Sequence, residues 1–247
     1  MTQLSTFRPA ANVAVIGASG GIGSALCSHL ARSEPIGMVH ALSRRTAPAP
    51  AGLIRPFAID LFDEASIEAA AEYVSKDAPL DLVIVASGLL HDDELQPEKL
   101  LRELDGDNML EIFRINTVGP ALVAKHFLPR MRRKAKSVFA ALSARVGSIG
   151  DNRLGGWVSY RASKAALNMT LKTLAIEHAR RWPDSVIATL HPGTVDTELS
   201  KPFSSRVVPD KLFTPEISAI HLLRVIDRLD AADSGGFFAW DGTPIPY

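Results

Sequence analysis

Tyr160-Arg161-Ala162-Ser163-Lys164 sets a phenol and an ammonium four residues apart, a spacing that puts both on one face of a helix. One ligand can therefore meet both groups. An unperturbed phenol titrates at about 10, and a neighbouring cation favours its ionised form, moving it toward useful acid–base chemistry. Alone, the pattern also fits a solvated helix face. Its setting, after a candidate fifth strand and downstream of a glycine-rich turn, favours the chemical reading.

That turn is Gly17-Ala18-Ser19-Gly20-Gly21-Ile22-Gly23, between a first apolar strand and a first helix. Glycines allow a tight bend, let backbone approach a pyrophosphate, and expose free N–H groups at a helix start to anions. A glycine cluster can also be only a turn; its place between strand and helix favours a dinucleotide. The second strand ends in Leu42-Ser43-Arg44-Arg45, where an acidic residue would bond the ribose hydroxyls of NAD. A hydroxyl and guanidinium suit a 2′-phosphate instead. Arg44 is the stronger candidate, and Arg45 equally fits a surface loop. Asp60-Leu61, after the third strand, can reach an adenine or simply form a turn. His191-Pro192-Gly193-Thr194-Val195-Asp196-Thr197, after the sixth strand, leaves backbone groups and the Thr197 hydroxyl for a ligand.

The elements that must position these residues alternate along the chain. Candidate strands are Asn12–Ile16, Met38–Leu42, Ile54–Ile59, Leu82–Val85, Ser137–Leu142, Val186–Leu190 and Gly236–Ala239. Helical stretches run near Ile22–Arg32, Ala65–Lys76, Asn108–Met131, Ser159–Arg181 and Pro215–Leu229. Continuous apolar strands separated by helices predict an α/β, doubly wound Rossmann fold with a mostly parallel seven-stranded sheet. No repeat or linker divides the chain, so residues 1–247 read as one domain with its ligands at the carboxyl ends of the strands.

Bulk properties exclude several alternatives. Lys and Arg total 27 and so do Asp and Glu, which gives no overall electrostatic footprint for nucleic acid. The basic run Arg130–Lys136 reads as a solvated helix end. No apolar run approaches the roughly 20 residues of a membrane span. Cys27 is the only cysteine, at a buried helix position, and the start lacks a signal-peptide pattern, so a cytoplasmic setting is expected. The seven His residues are dispersed and predict no metal site; His91 reads as a loop residue.

Taken together, these residues resemble the short-chain dehydrogenase/reductase family across nearly the whole chain. Gly17, Gly21 and Gly23 match its cofactor turn, Asp60 its adenine contact, and Asn116 its helix asparagine. Tyr160 and Lys164 match its catalytic pair, and Pro192, Gly193 and Thr197 its segment beside nicotinamide. Gly147-Ser148-Ile149, the Tyr160–Lys164 segment and Trp240-Asp241-Gly242-Thr243-Pro244 look closest to the C-factor and sniffer-like carbonyl reductase branch.

The resemblance implies hydride transfer between nicotinamide and a small carbonyl or alcohol, with NADP as the cofactor and NAD as the alternative. Tyr160 would exchange the proton, and Lys164 would bond the nicotinamide ribose and lower the Tyr160 pKa. Asn116 would hold a water linking Lys164 to solvent. The cofactor contacts implied are Ser19, Ile22, Ser43, Arg44, Leu61, Gly88 and Val195 in addition to the residues above. Association as a homodimer or homotetramer through the helices near Asn108–Met131 and Ser159–Arg181 is also implied. The segment 198–212, with Phe203, would form much of the substrate pocket, with Trp157 beside it; its composition names no compound.

Two departures stand out. The family's Asn-Asn-Ala-Gly reads Val85-Ala86-Ser87-Gly88, and Ser-Ser-x-x-Gly reads Ser143-Ala144-Arg145-Val146-Gly147. A gapless match puts Ala144 where the substrate-orienting serine belongs. Ser143 is then the expected substitute, with Ser148 and Ser159 as weaker ones and a purely structural hydroxyl as the competing reading. The lost asparagines keep a second function open: an NADP-binding regulatory protein of the C-factor kind with little turnover.

Overall fold

The computed structural model describes residues 4–44, 51–202 and 212–247. Its centre is a sheet of β1 (Ala11–Ile16), β2 (Ile36–Ser43), β3 (Ile54–Ala58), β4 (Leu82–Val85), β5 (Ser137–Leu142), β6 (Ser185–His191) and β9 (Phe237–Ala239). The order is β3-β2-β1-β4-β5-β6-β9, and every neighbouring pair is parallel. The seven expected strands are all present. Two short strands, β7 (Thr194–Val195) and β8 (Leu212–Phe213), pair outside this sheet.

Alternation along the strands divides the core into two. Val13 and Val15 of β1 pack toward α1 (Gly21–Leu30) and α6 (Pro215–Arg228), joining Leu26, Leu30, Leu222 and Ile226. Ala14 and Ile16 point the other way, with Ile67 of α2 (Glu64–Ser75), Phe127 of α4 (Gly119–Phe127) and Leu167 of α5 (Val158–His178). Both faces are covered, which is why the strands read as unbroken apolar runs. The chain reverses direction across the sheet between β1 and β4. Their carboxyl ends there form the crevice where such sheets bind ligands.

The stretch expected to be helical near Asn108–Met131 is helical from Gly106 to Arg130, with one local change of winding. Helix α3 (Gly106–Phe113) leads into a π-helical turn, Arg114–Val118, before α4. Pro120 supplies the reason: it has no N–H to give the Asn116 carbonyl four residues earlier, and its ring would clash with that carbonyl. Widening the turn relieves both and rolls Asn116 and Thr117 inward, where both are buried.

The basic run is a solvated helix end only in part: Arg130 closes a helical turn and Arg133 and Lys134 are exposed, but several of its cations are engaged. Arg132 pairs with the fully buried Asp81, whose carboxylate also accepts from Asn12 N at 2.9 Å. Arg133 lies 4.2 Å above the Trp182 ring, and Lys136 donates to the Asp227 carbonyl at 2.6 Å. Cys27 is buried as expected, and burial pushes its thiol up to about 12. Among the described residues no helix is long and apolar enough to cross a membrane.

Candidate active site

At the end of β1 the chain turns on Gly17, whose φ of +85° only glycine adopts freely. A Cβ there would sit 2.7 Å from Ser87 N, so the turn lies directly against the segment after β4. Gly23 is tighter still: its Cβ would fall 2.1 Å from the Gly17 carbonyl oxygen. A Cβ on Gly21 would come within 3.0 Å of Thr197, which brings the segment after β7 onto the same turn. The N-terminus of α1 that follows has no side-chain cap and no acidic residue in its first turn. Its orphan N–H groups and the positive end of its dipole are thus available to an anion.

This turn floors a cleft of about 280 Å³ whose walls include Ser19, Ser43, Arg44, Leu61 and Gly88. Among the described residues, no Asp or Glu lines it. The exposed Arg44 lies 6.0 Å from the centre of the Phe62 ring, and Arg114 covers the same ring at 4.5 Å. Asp60 is not part of the wall: its carboxylate accepts from Phe62 N at 2.9 Å, the turn-forming role. Arg45 and most of 198–212, Phe203 included, lie outside the described residues.

Tyr160 and Lys164 occupy the first turns of α5, 7% and 3% exposed. Lys164 Nζ donates to the Leu142 carbonyl at the end of β5, 2.8 Å away, and sits 5.9 Å from the Tyr160 ring centre. A Cβ on Gly88 would come within 3.6 Å of that ammonium, so the glycine leaves it room. Burial lowers Lys164 from 10.5 to about 8. Burial also raises the Tyr160 phenol, which is the reverse of the expected depression. The Lys164 charge does not offset the loss of water around the hydroxyl in this arrangement.

Asn116 joins three segments. It accepts from Leu89 N at 2.8 Å, donates back to Leu89 O at 2.7 Å, and donates to Ser163 Oγ at 3.2 Å. Thr117 Oγ1 reaches the Ser163 carbonyl at 2.8 Å. The widened turn thus docks the loop after β4 onto α5 one residue from Lys164.

The candidate serines separate by their partners. Ser148 Oγ donates to the Pro246 carbonyl and accepts from Asp151 N, and Ser159 Oγ donates to Glu98. Ser143 continues the ladder beyond β5 through its N–H to Leu190 O, yet its buried Oγ has no hydrogen-bond partner among the described residues. Ser87 Oγ, in the cleft wall, is likewise buried without a partner among them.

Gly193, at φ +82°, packs its Cα against Phe213 and Trp240, and Val195 is buried beside it in β7. Among the described residues the Thr197 hydroxyl makes only long contacts, 3.5 Å to Val195 O and to Ser200 Oγ. His91 is a loop residue, as expected, and its ring bonds the Glu198 and Leu199 carbonyls at 3.0 and 3.1 Å. Sequence reading missed Glu98, a buried carboxylate in the loop after β4. An acid directly after Pro97 looks like ordinary loop chemistry and carries no signal by itself; only its partners reveal it.

Residues 11–207 match the short chain dehydrogenase family. The chain is 34% identical over 233 residues to a 1-hydroxy-2-glutathionyl-2-methyl-3-butene dehydrogenase of Rhodococcus sp. (strain AD45), covering 94% of this chain and 97% of that one. It is 37% identical over 147 residues to the C-signal protein of Myxococcus xanthus, 60% of this chain and 83% of the other. The crystal structure of an NADPH-bound carbonyl reductase from chicken fatty liver superposes with a TM-score of 0.82 at 26% identity, covering 98% of this chain and 100% of that one.

Proposed function

We propose that this chain, which belongs to the short-chain dehydrogenase family, is an NADP-preferring reductase of small carbonyl compounds with Tyr160 as proton donor. The carrying observation is that Lys164, one helical turn after Tyr160 on α5, reaches the end of β5 and comes close to Gly88 of the cleft wall.

The residues present fit the cofactor. An uncapped α1 N-terminus suits the pyrophosphate, and the unpartnered Ser87 hydroxyl offers a polar contact within the cleft. Arg44 suits a 2′-phosphate, and no carboxylate among the described lining residues opposes one by repulsion. The carbonyl reductase with NADPH bound supports the same choice by similarity.

When bound, the nicotinamide supplies the hydride. The protein supplies the rest. Burial keeps the Tyr160 phenol protonated across the neutral range, the state that donates to a carbonyl oxygen. Lys164, with one main-chain acceptor among the described residues for three donors, has capacity to hold the nicotinamide ribose. Asn116 fixes the loop after β4 beside it, and the Ser143 hydroxyl, buried without a partner among the described residues, is the candidate second donor to the substrate oxygen.

The similarity to C-signal favours one other reading, a cofactor-binding regulatory protein with little turnover. Steady NADPH oxidation with a panel of aldehydes, ketones and quinones separates the two. Tyr160→Phe should lower turnover by about 10²–10⁴-fold while NADPH binding survives. Tight NADPH binding with no turnover on the whole panel would favour the regulatory reading.

A further inference from the structure

Glu98 is 5% exposed, and it enters no ion pair among the described residues. A buried carboxylate without a cation needs strong donors to offset its lost hydration. Among the described residues both of its donors belong to Ser159: the backbone N–H, at 3.3 Å, and the hydroxyl, which donates to Oε1. Ser159 lies in the first turn of the 21-residue α5, where orphan N–H groups and the helix dipole favour an anion.

The usual way to satisfy such N–H groups is a Ser, Thr, Asp or Asn at the cap position. Trp157 stands there instead and gives no side-chain cap. Glu98 thus does from the loop after β4 what the residue at 157 does not. Its main chain acts on the same element, because Trp157 N–H donates to the Glu98 carbonyl oxygen.

The segment so held is conformationally costly. Gly155, Gly156 and Trp157 have successive φ values of +63°, +66° and +52°, and the last is a region that a bulky residue rarely adopts. Arg161 braces it by donating to the Gly155 and Gly156 carbonyls at 3.1 and 2.8 Å. What this bracing orients is Tyr160, next to Ser159, and the Trp157 indole, edge-on to the Tyr160 ring at 6.4 Å between centres.

We propose that Glu98 is a positioning residue, capping α5 through Ser159 and so fixing the direction of the Tyr160 hydroxyl and the indole beside it. The inference rests on Tyr160 being the proton donor. Misplacing a reacting group by about 1 Å can cost on the order of 10²-fold. Glu98→Ala should therefore lower kcat by about ten- to a hundredfold while the Kd for NADPH stays within about twofold. Glu98→Gln keeps an acceptor for Ser159 and should recover most of that loss. Ser159→Ala should lower kcat in the same direction, and the double variant Glu98→Ala/Ser159→Ala should be no worse than Glu98→Ala alone.

The assay is NADPH oxidation with p-nitrobenzaldehyde and the panel above, beside a fluorescence titration of NADPH. Wild-type kcat in Glu98→Ala, equal losses of kcat and NADPH affinity, or additive losses in the double variant would each overturn the proposal. Should Glu98→Ala not fold, wild-type kcat in Ser159→Ala would overturn it instead. Tyr160→Phe serves as the parallel control. Full turnover there, or none by the wild type on the panel, removes the reductase reading and this inference with it. Loss in Tyr160→Phe but not in the Glu98 and Ser159 variants removes the inference alone.

Discussion

Lys164 Nζ rests on the main-chain carbonyl oxygen of Leu142, 2.8 Å away, so a buried ammonium spans from α5 to the end of β5. One neutral acceptor compensates little of the hydration that burial removes, and the group falls from 10.5 to about 8. Holding this charge therefore costs stability until a ligand joins it.

The sign of the pH dependence follows. Between pH 8 and 10.5 the unfolded chain binds a proton at Lys164 that the folded chain has lost, so its contribution to stability improves as pH rises. The full penalty applies below pH 8. Lys164→Met should accordingly stabilise the cofactor-free protein at pH 7, by at most about 3 kcal/mol, while abolishing turnover. Urea denaturation of both proteins across this range checks it, with the gap expected to narrow above pH 8. A variant less stable than wild type at pH 7 would contradict the argument.

Arg44 should decide the cofactor. It lines a cleft with no carboxylate among its described lining residues, and a charge-assisted hydrogen bond contributes about 1.5–3 kcal/mol. NADPH should bind roughly one to two decades more tightly than NADH, and Arg44→Ala should erase most of that difference. Titration of both cofactors against both proteins tests it; equal wild-type affinities would defeat the assignment.

The sheet was legible in the sequence because strands buried on both faces carry little but apolar residues, as in Ala11–Ile16 and Leu82–Val85. The glycine turn was legible because Gly17 and Gly23 have no room for a side chain. The π-helical turn at Arg114–Val118 was not, since helical periodicity continues through it and Pro120 acts on a carbonyl four residues back. Glu98 was hidden for another reason: its meaning lies in Ser159, 61 positions along the chain. The Tyr160 shift was misjudged because spacing reports a neighbouring charge but not the exclusion of water.

Self-association should run through α3 to α5. Leu110, Val118, Met169 and Ile176 are 69%, 46%, 67% and 58% exposed, and the last two share one face of α5. A pair of exposed apolar residues on one face of a long helix suits a protein contact. Light scattering at micromolar concentration should give a dimer or tetramer, and Met169→Glu with Ile176→Glu should reduce it to the monomer. A monomeric wild type would refute this.

Ser143 offers a test in which activity and stability move apart. Its hydroxyl is buried without a partner among the described residues, whereas Ser148 is committed to Pro246 and Asp151 and Ser159 to Glu98. A buried polar group that makes no hydrogen bond contributes nothing to offset its lost hydration, so Ser143→Ala should leave folding stability unchanged or slightly raised. If that hydroxyl is the second donor to the substrate oxygen, removing it takes away a hydrogen bond that strengthens as negative charge develops there. Loss of one such donor costs about 10²–10³-fold in kcat where the site is fully organised around it. With Tyr160 still able to donate its proton, a fall toward the lower end is expected, with the Kd for NADPH unaltered. Ser148→Ala should show the opposite pattern, lower stability with kcat preserved, because its hydroxyl holds the chain together rather than facing a ligand. Thermal unfolding and steady-state kinetics on both variants settle the matter. Undiminished kcat in Ser143→Ala would leave Tyr160 as the sole side-chain donor and make Ser143 a residue of the sheet edge alone.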